Sequence, residues 1–213
     1  RQLTQSPKVA AVSPSPEPAV VAAVAQGIRL GAYAFTGYRA QPLREPLRTL
    51  TICTSSARKS SVKSAVEQSD AVTDAVLATR DLVNTPPADL TPDALATWVR
   101  RSAADTSLRV ETYDEGKLAR AGYGGIVGVG QGSVHPPRLV RMTYRPAKAK
   151  THLALVGKGV TFDSGGLSLK TPTSMITMKC DMAGAAAVAN ATLTAARRKL
   201  PVRITAYLAL AEN

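Results

Sequence analysis

Val62, Val66, Ser69, Val72, Val76, Thr79 and Val83 recur at steps of three or four, which predicts one face of a long helix. Pro86 and Pro87 stop it. Before it, prolines at 7, 14, 16 and 18 predict a loop or irregular edge over Arg1 to Pro18. An Ala/Val run then leads into a helix reaching about Tyr33, and Leu47 to Cys53 predicts a short strand. After Asn84 helices and strands alternate. Helices are expected over Thr91 to Ala104 and Glu115 to Ala121, with strands over Leu108 to Tyr113 and near Ile126 and Leu139.

His152-Leu-Ala-Leu-Val-Gly157 is apolar on consecutive residues, which predicts a central strand covered on both faces. An Ala-rich helix from Gly184 to Leu200 follows, ended by Pro201, with Arg197 to Lys199 at its negative carboxyl end. Val202 to Leu208 alternates as a strand. Strand, crossover helix and strand imply an α/β sheet with parallel neighbours. The expected organisation is the end of a small N-terminal α/β domain over 1–60, a linker helix over 61–83, and the first part of a mixed, largely parallel-sheet domain with flanking helices over 84–213.

Composition narrows the class. With 213 residues, 45% of them hydrophobic, the chain has the make-up of a soluble globular protein. No apolar run approaches the roughly 20 residues that span a bilayer, so no membrane association is expected. Cys53 and Cys180 form no CxxC spacing, which argues against a thiolate metal site and for reduced thiols in a cytoplasmic protein. Lysine and arginine outnumber acids 27 to 15, for a formal charge of +12. That permits nucleic acid as a partner, but the basic residues are scattered and aromatics are few, so it is not favoured. The chain opens with Arg1 and closes at Asn213 directly after a strand-like run, so a fragment cut at both ends is expected.

Candidate chemistry is concentrated in Val156-Gly-Lys-Gly-Val-Thr-Phe-Asp-Ser-Gly-Gly166, in Lys170, and in Met178-Lys-Cys-Asp-Met-Ala-Gly184. Lys158 lies just past a strand's carboxyl end, where ligands bind in open α/β sheets. Asp163 follows in a glycine-rich loop. Taken singly, Asp181 reads as a helix N-cap, Asp163 as a loop aspartate bonding its own turn, and Lys158 and Lys170 as surface lysines. Their joint placement around one strand end points instead to a site. Gly157-Lys-Gly159 invites a phosphate-loop reading, which is discounted because the Gly-x-x-x-x-Gly-Lys-Ser/Thr order is absent.

These stretches resemble the leucyl (cytosol) aminopeptidases, the M17 peptidases. The resemblance rests on the two segments just quoted, on Ala211-Glu-Asn213, and on Arg80-Asp-Leu-Val-Asn-Thr-Pro-Pro87, Gly128-Val-Gly-Gln-Gly-Ser133 and Pro136-Pro-Arg-Leu-Val140. It implies a metallo-aminopeptidase that releases N-terminal amino acids from peptides with a leucine-type preference, and that assembles as a cytoplasmic homohexamer. It also implies two divalent metal ions per subunit, zinc or manganese, with magnesium or cobalt admissible for such oxygen-rich ligands. Carried over, Lys158 is an amine ligand of one metal, Asp163 a carboxylate bridging both, and Asp181 a further ligand of the first. Lys170 is the catalytic lysine, and Met178 lines the pocket for the first substrate residue. Thr171 stands where the family usually has proline, and Ala183 where it has glycine. The family's Asn-Thr-Asp-Ala-Glu-Gly-Arg motif is absent from these residues, so the chain alone is expected to be inactive. The alternative is a non-enzymatic, DNA-binding or architectural member of the family.

Overall fold

The computed structural model of the chain describes residues 7–40 and 46–213. They divide into two compact units, Arg1–Ala78 and Thr79–Asn213. The long helix α2 (Ser60–Asn84) runs through the division.

In the first unit β1 (Lys8–Val12) and β2 (Thr49–Cys53) pair in parallel, with Val9 opposite Leu50. Parallel strands need a crossover, and α1 (Pro18–Gly31) supplies it. Pro18 occupies the start of α1, where its missing N–H leaves no intrahelical bond unmade. The strand β1 corrects the expected loop over Arg1 to Pro18. Lys-Val-Ala-Ala-Val is extended because it pairs with β2, a tertiary cause that its proline-rich surroundings hide. Residues 1–6 of that expected loop lie outside the described residues. Within α2 Val62 of the expected face is buried, but Val72 is exposed, while its neighbour Thr73 is buried and donates its hydroxyl to the Ser69 carbonyl at 2.8 Å. Arg29 ties α1 to the first part of α2 through Asp70 at 2.8 Å and Asp74 at 2.5 Å.

The second unit carries a four-stranded mixed sheet in the order β3 (Arg109–Tyr113), β4 (Arg138–Tyr144), β6 (Val202–Ala211), β5 (Thr151–Val160). The pairings β3 with β4 and β4 with β6 are antiparallel, and β5 with β6 is parallel. The helix α3 (Pro92–Ser102) begins at Thr91, whose hydroxyl accepts from the Ala94 N–H. The Ala-rich α7 (Ala183–Arg197) ends where Lys199 takes a left-handed φ of 51°. Val140, Met142, Ile204, Ala206, Leu208 and Leu210 form one buried core with Leu95 and Val99 of α3 and Ala185, Ala189 and Leu193 of α7. Full burial of one such Leu or Val side chain is worth about 1.5–3 kcal/mol.

Two expectations fail here. The segment near Ile126 is a helix, α5 (Gly124–Gly130), following the short α4 (Glu115–Arg120). Its alternating Gly and apolar residues look strand-like, but the Tyr123 N–H turns back to the Leu118 carbonyl and Gly122 takes φ 78°, so the chain coils instead of extending. The strand β5 is also not central. It is an edge strand, with Leu153 45% and Val156 74% exposed, and β4 and β6 are the strands flanked on both sides. Only one face of β5 is covered, and α7 covers it. An apolar run without alternation thus marked an edge strand here. No described helix is long and apolar enough to cross a membrane.

Candidate active site

The carboxyl end of β5 is shaped by its contact with α7. A Cβ on Gly157 would fall 2.6 Å from the Ala185 Cα, so only glycine lets the strand and the helix amino end approach this closely. Gly184, in the first turn of α7, likewise faces the Lys158 backbone. Lys158 is thereby held beside the residues that lead into the helix, and its Nζ lies 2.9 Å from Asp181 Oδ2. Asp181 does not cap α7. The N-cap position is Met182, without a side-chain bond, and Asp181 closes the preceding 3-10 turn Met178–Cys180. Asp181 Oδ2 is buried, and its contact with Lys158 lacks hydrogen-bond direction, so this oxygen has no hydrogen-bond partner.

Past β5 the chain continues alongside the end of β6. The Thr161 N–H donates to the Ala211 carbonyl at 2.8 Å, and the Asn213 N–H donates to Phe162 at 3.0 Å. Asp163 therefore leaves the sheet in a fixed direction. Its Oδ1 accepts from the Gly165 N–H at 2.9 Å and from Asn213 Nδ2 at 3.1 Å, and its Oδ2 accepts from Lys170 Nζ at 2.5 Å. Hydrogen bonding from the Lys170 ammonium, reinforced by the bonds from Gly165 and Asn213, outweighs desolvation and holds the Asp163 carboxyl below its ordinary range. The turn-bonding read for Asp163 alone is thus present, and the ion pair is added to it. Thr171, at the family's usual proline position, caps the short α6 (Pro172–Met175) by accepting from the Ser174 N–H at 3.4 Å.

The four sequence-derived residues thus form two ion pairs, Lys158 with Asp181 and Lys170 with Asp163; Lys158 lies within β5, whose ladder runs on to Val160, and not past its end as expected, while the other three lie on the segments that follow the strand. Among the described residues no three His, Cys, Asp or Glu side chains converge as a metal cluster. One amine and two carboxylates, oxygen-rich and without thiolate, are donors of a kind that suits a divalent cation, and the buried Asp181 oxygen, which meets the Lys158 charge but no directed hydrogen bond, is an atom a cation would satisfy. Met178 is half-buried in the 3-10 turn. Sequence reading missed Asn213, Glu212 and Ser133. Glu212 Oε1 accepts from Ser133 Oγ at 2.6 Å, and these residues, with Pro87, Phe162 and Ser164, line a cavity of about 570 Å³. The quoted Gly-Gln-Gly-Ser and Ala-Glu-Asn stretches contained them, but their pairing spans 79 positions and leaves no local trace.

Residues 77–213 match the model of the cytosol aminopeptidase family, catalytic domain. A probable cytosol aminopeptidase of Leifsonia xyli is 48% identical over 216 residues, covering 100% of this chain and 43% of that protein. Among solved structures, the bottromycin maturation enzyme BotP in complex with Mn superposes with a TM-score of 0.81 at 41% identity, covering 91% of this chain and 40% of that one. The leucyl aminopeptidase of Trypanosoma brucei in complex with bestatin gives a TM-score of 0.81 at 30% identity, covering 97% of this chain and 39% of that one. The chain thus spans well under half the length of these relatives. Sequence match and fold agree, and the chain belongs to the cytosol aminopeptidase family.

Proposed function

We propose that residues 84–213 are the first part of the catalytic domain of a two-metal aminopeptidase, preceded by a linker helix over 61–83 and the end of an α/β domain over 1–60. The observation that carries this reading is the buried Asp181 Oδ2, which lacks a hydrogen bond and lies 2.9 Å from Lys158 Nζ. A buried carboxylate oxygen that meets a neighbouring charge but no directed hydrogen bond is imperfectly satisfied, and a divalent cation held beside the neutral amine of Lys158 would satisfy it. Lys158 and Asp181 would hold one metal, and Asp163 would bridge it to a second. The family resemblance favours zinc or manganese, while by ligand type magnesium or cobalt suits the set about equally. When bound, the ions supply polarisation of the scissile carbonyl and a seat for the substrate's free amino group.

The chain's own residues do the rest. Asp163, fixed at Oδ1 by two donors, presents its carboxylate in one orientation. Lys170, 2.5 Å from Asp163 Oδ2, keeps a positive charge beside the reacting carbonyl and stabilises the oxygen that becomes negative during hydrolysis. Met178 borders the first substrate residue and favours leucine-like side chains. The complete protein acts on peptides in the cytoplasm as a homohexamer. A polypeptide of these 213 residues alone is inactive in this reading, because the Asn-Thr-Asp-Ala-Glu-Gly-Arg motif is absent from them.

The test is hydrolysis by the complete protein of a leucyl peptide with a free amino end and of its N-acetylated form. Cleavage of the free peptide only, lost on chelation and restored by Mn²⁺ or Zn²⁺, is expected. Equal cleavage of the acetylated peptide, or activity indifferent to chelation, would refute the reading.

A further inference from the structure

We infer that Asn213 is a positioning residue for Asp163, a role that rests on the metal-site reading above. Its side-chain Nδ2 donates to Asp163 Oδ1 at 3.1 Å, sharing that oxygen with the Gly165 N–H at 2.9 Å. Its main chain grips the same turn from both sides. The Asn213 N–H donates to the Phe162 carbonyl at 3.0 Å, and the Asn213 carbonyl accepts from the Ser164 N–H at 2.7 Å. The turn is also wrapped around the amide itself. A Cβ on Gly166, which takes φ +60°, would fall 2.6 Å from Asn213 Oδ1. Glu212, the preceding residue, accepts from Ser133 Oγ at 2.6 Å, so the asparagine follows directly on an anchored residue.

The consequence is a division of labour between the two oxygens of Asp163. With Oδ1 engaged by two neutral donors, rotation of the carboxylate is blocked, and Oδ2 is the oxygen turned to the charged Lys170. A carboxylate that must serve a metal depends on such outer hydrogen bonds for its orientation, and their loss typically costs 10–100-fold in metal affinity or activity.

Calorimetric titration of Mn²⁺ into the metal-free complete protein tests this, using wild type, Asn213→Leu, Asn213→Asp and Asp163→Asn, with a thermal melt of each. Asn213→Leu should weaken Mn²⁺ binding about tenfold or more. Asn213→Asp keeps the side-chain shape, loses the donor and sets an anion beside Asp163, so it should weaken binding at least as much while the melt stays closer to wild type. If Asn213→Leu does not fold, Asn213→Asp decides alone. Wild-type or tighter Mn²⁺ binding by Asn213→Asp, or unchanged binding by a folded Asn213→Leu, overturns the role. Asp163→Asn separates the two claims: its loss of Mn²⁺ binding together with an unaffected Asn213→Asp sinks the role alone, whereas full binding by Asp163→Asn sinks the site reading and the role with it.

Discussion

Lys170 and Asp163 form a pair in which each partner is about four-fifths or three-quarters withdrawn from water, with side chains 26% and 18% exposed. Lys170 has no second anionic partner among the contacts that define the site, so its charge is available to a negative oxygen that develops nearby. Its value in the proposed reaction lies in the transition state, where that charge appears, and not in holding the metal. Replacing Lys170 with alanine in the complete protein should therefore lower turnover by about 10²–10³-fold, the loss typical of one such donor. Metal content should stay at the wild-type level. Turnover measured beside metal analysis checks this, and wild-type turnover at full metal content would remove Lys170 from the mechanism. At this scale the sequence was informative for the four charged residues, because Lys158, Asp163, Lys170 and Asp181 lie within 24 positions whose spacing is itself the signal. Asn213 was not legible as a partner of Asp163, since their contact joins residues 50 positions apart and depends on the pairing of β5 with β6.

Between elements, the contact of β5 with α7 places Lys158 opposite Asp181. Gly157→Ala adds one methyl group against the Ala185 backbone, which cannot swing away as a side-chain end could. Overpacking of this kind costs about 1–3 kcal/mol. By contrast a Cβ on Gly128, inside α5, meets nothing within 4 Å, and Gly128→Ala should raise stability by up to about 1 kcal/mol. Denaturant unfolding of both variants checks the pair of outcomes. A second test concerns β3 and β4. Desolvation works to raise the Glu111 carboxyl, but its hydrogen bond from Arg141 and the nearby Arg109 prevail and hold it below the ordinary 4.5. A depressed carboxyl contributes stability that is complete above 4.5 and is lost as pH falls from there through the lower native value. Glu111→Gln should flatten that acid limb in pH-dependent melts and leave the neutral-pH slope unchanged. Most elements were legible from periodicity, as α3, β4, α7 and β6 illustrate. The failures have one kind of cause. The strand β1 exists through its partner β2, and the edge position of β5 is set by which strands flank it, neither of which is written in the local pattern.

For the whole chain the formal charge of +12 is the feature that most invites a different function. Several of the basic residues are engaged: Arg29, Arg138, Arg141, Lys158, Lys170 and Arg197 all pair with acids. Few phosphates would be neutralised together, so DNA binding should be weak at physiological salt and fall further as salt rises. Tight binding that survives high salt, measured by fluorescence anisotropy with a duplex, would favour the architectural alternative. If Lys158, Asp163 and Asp181 hold divalent metal, as proposed, metal analysis of the dialysed complete protein, wild type against Asp163→Asn and Asp181→Asn, will read it out. Two equivalents of Zn²⁺ or Mn²⁺ per wild-type subunit are expected, with Asp181→Asn losing about one and Asp163→Asn losing both. Full metal content in both variants would contradict the account.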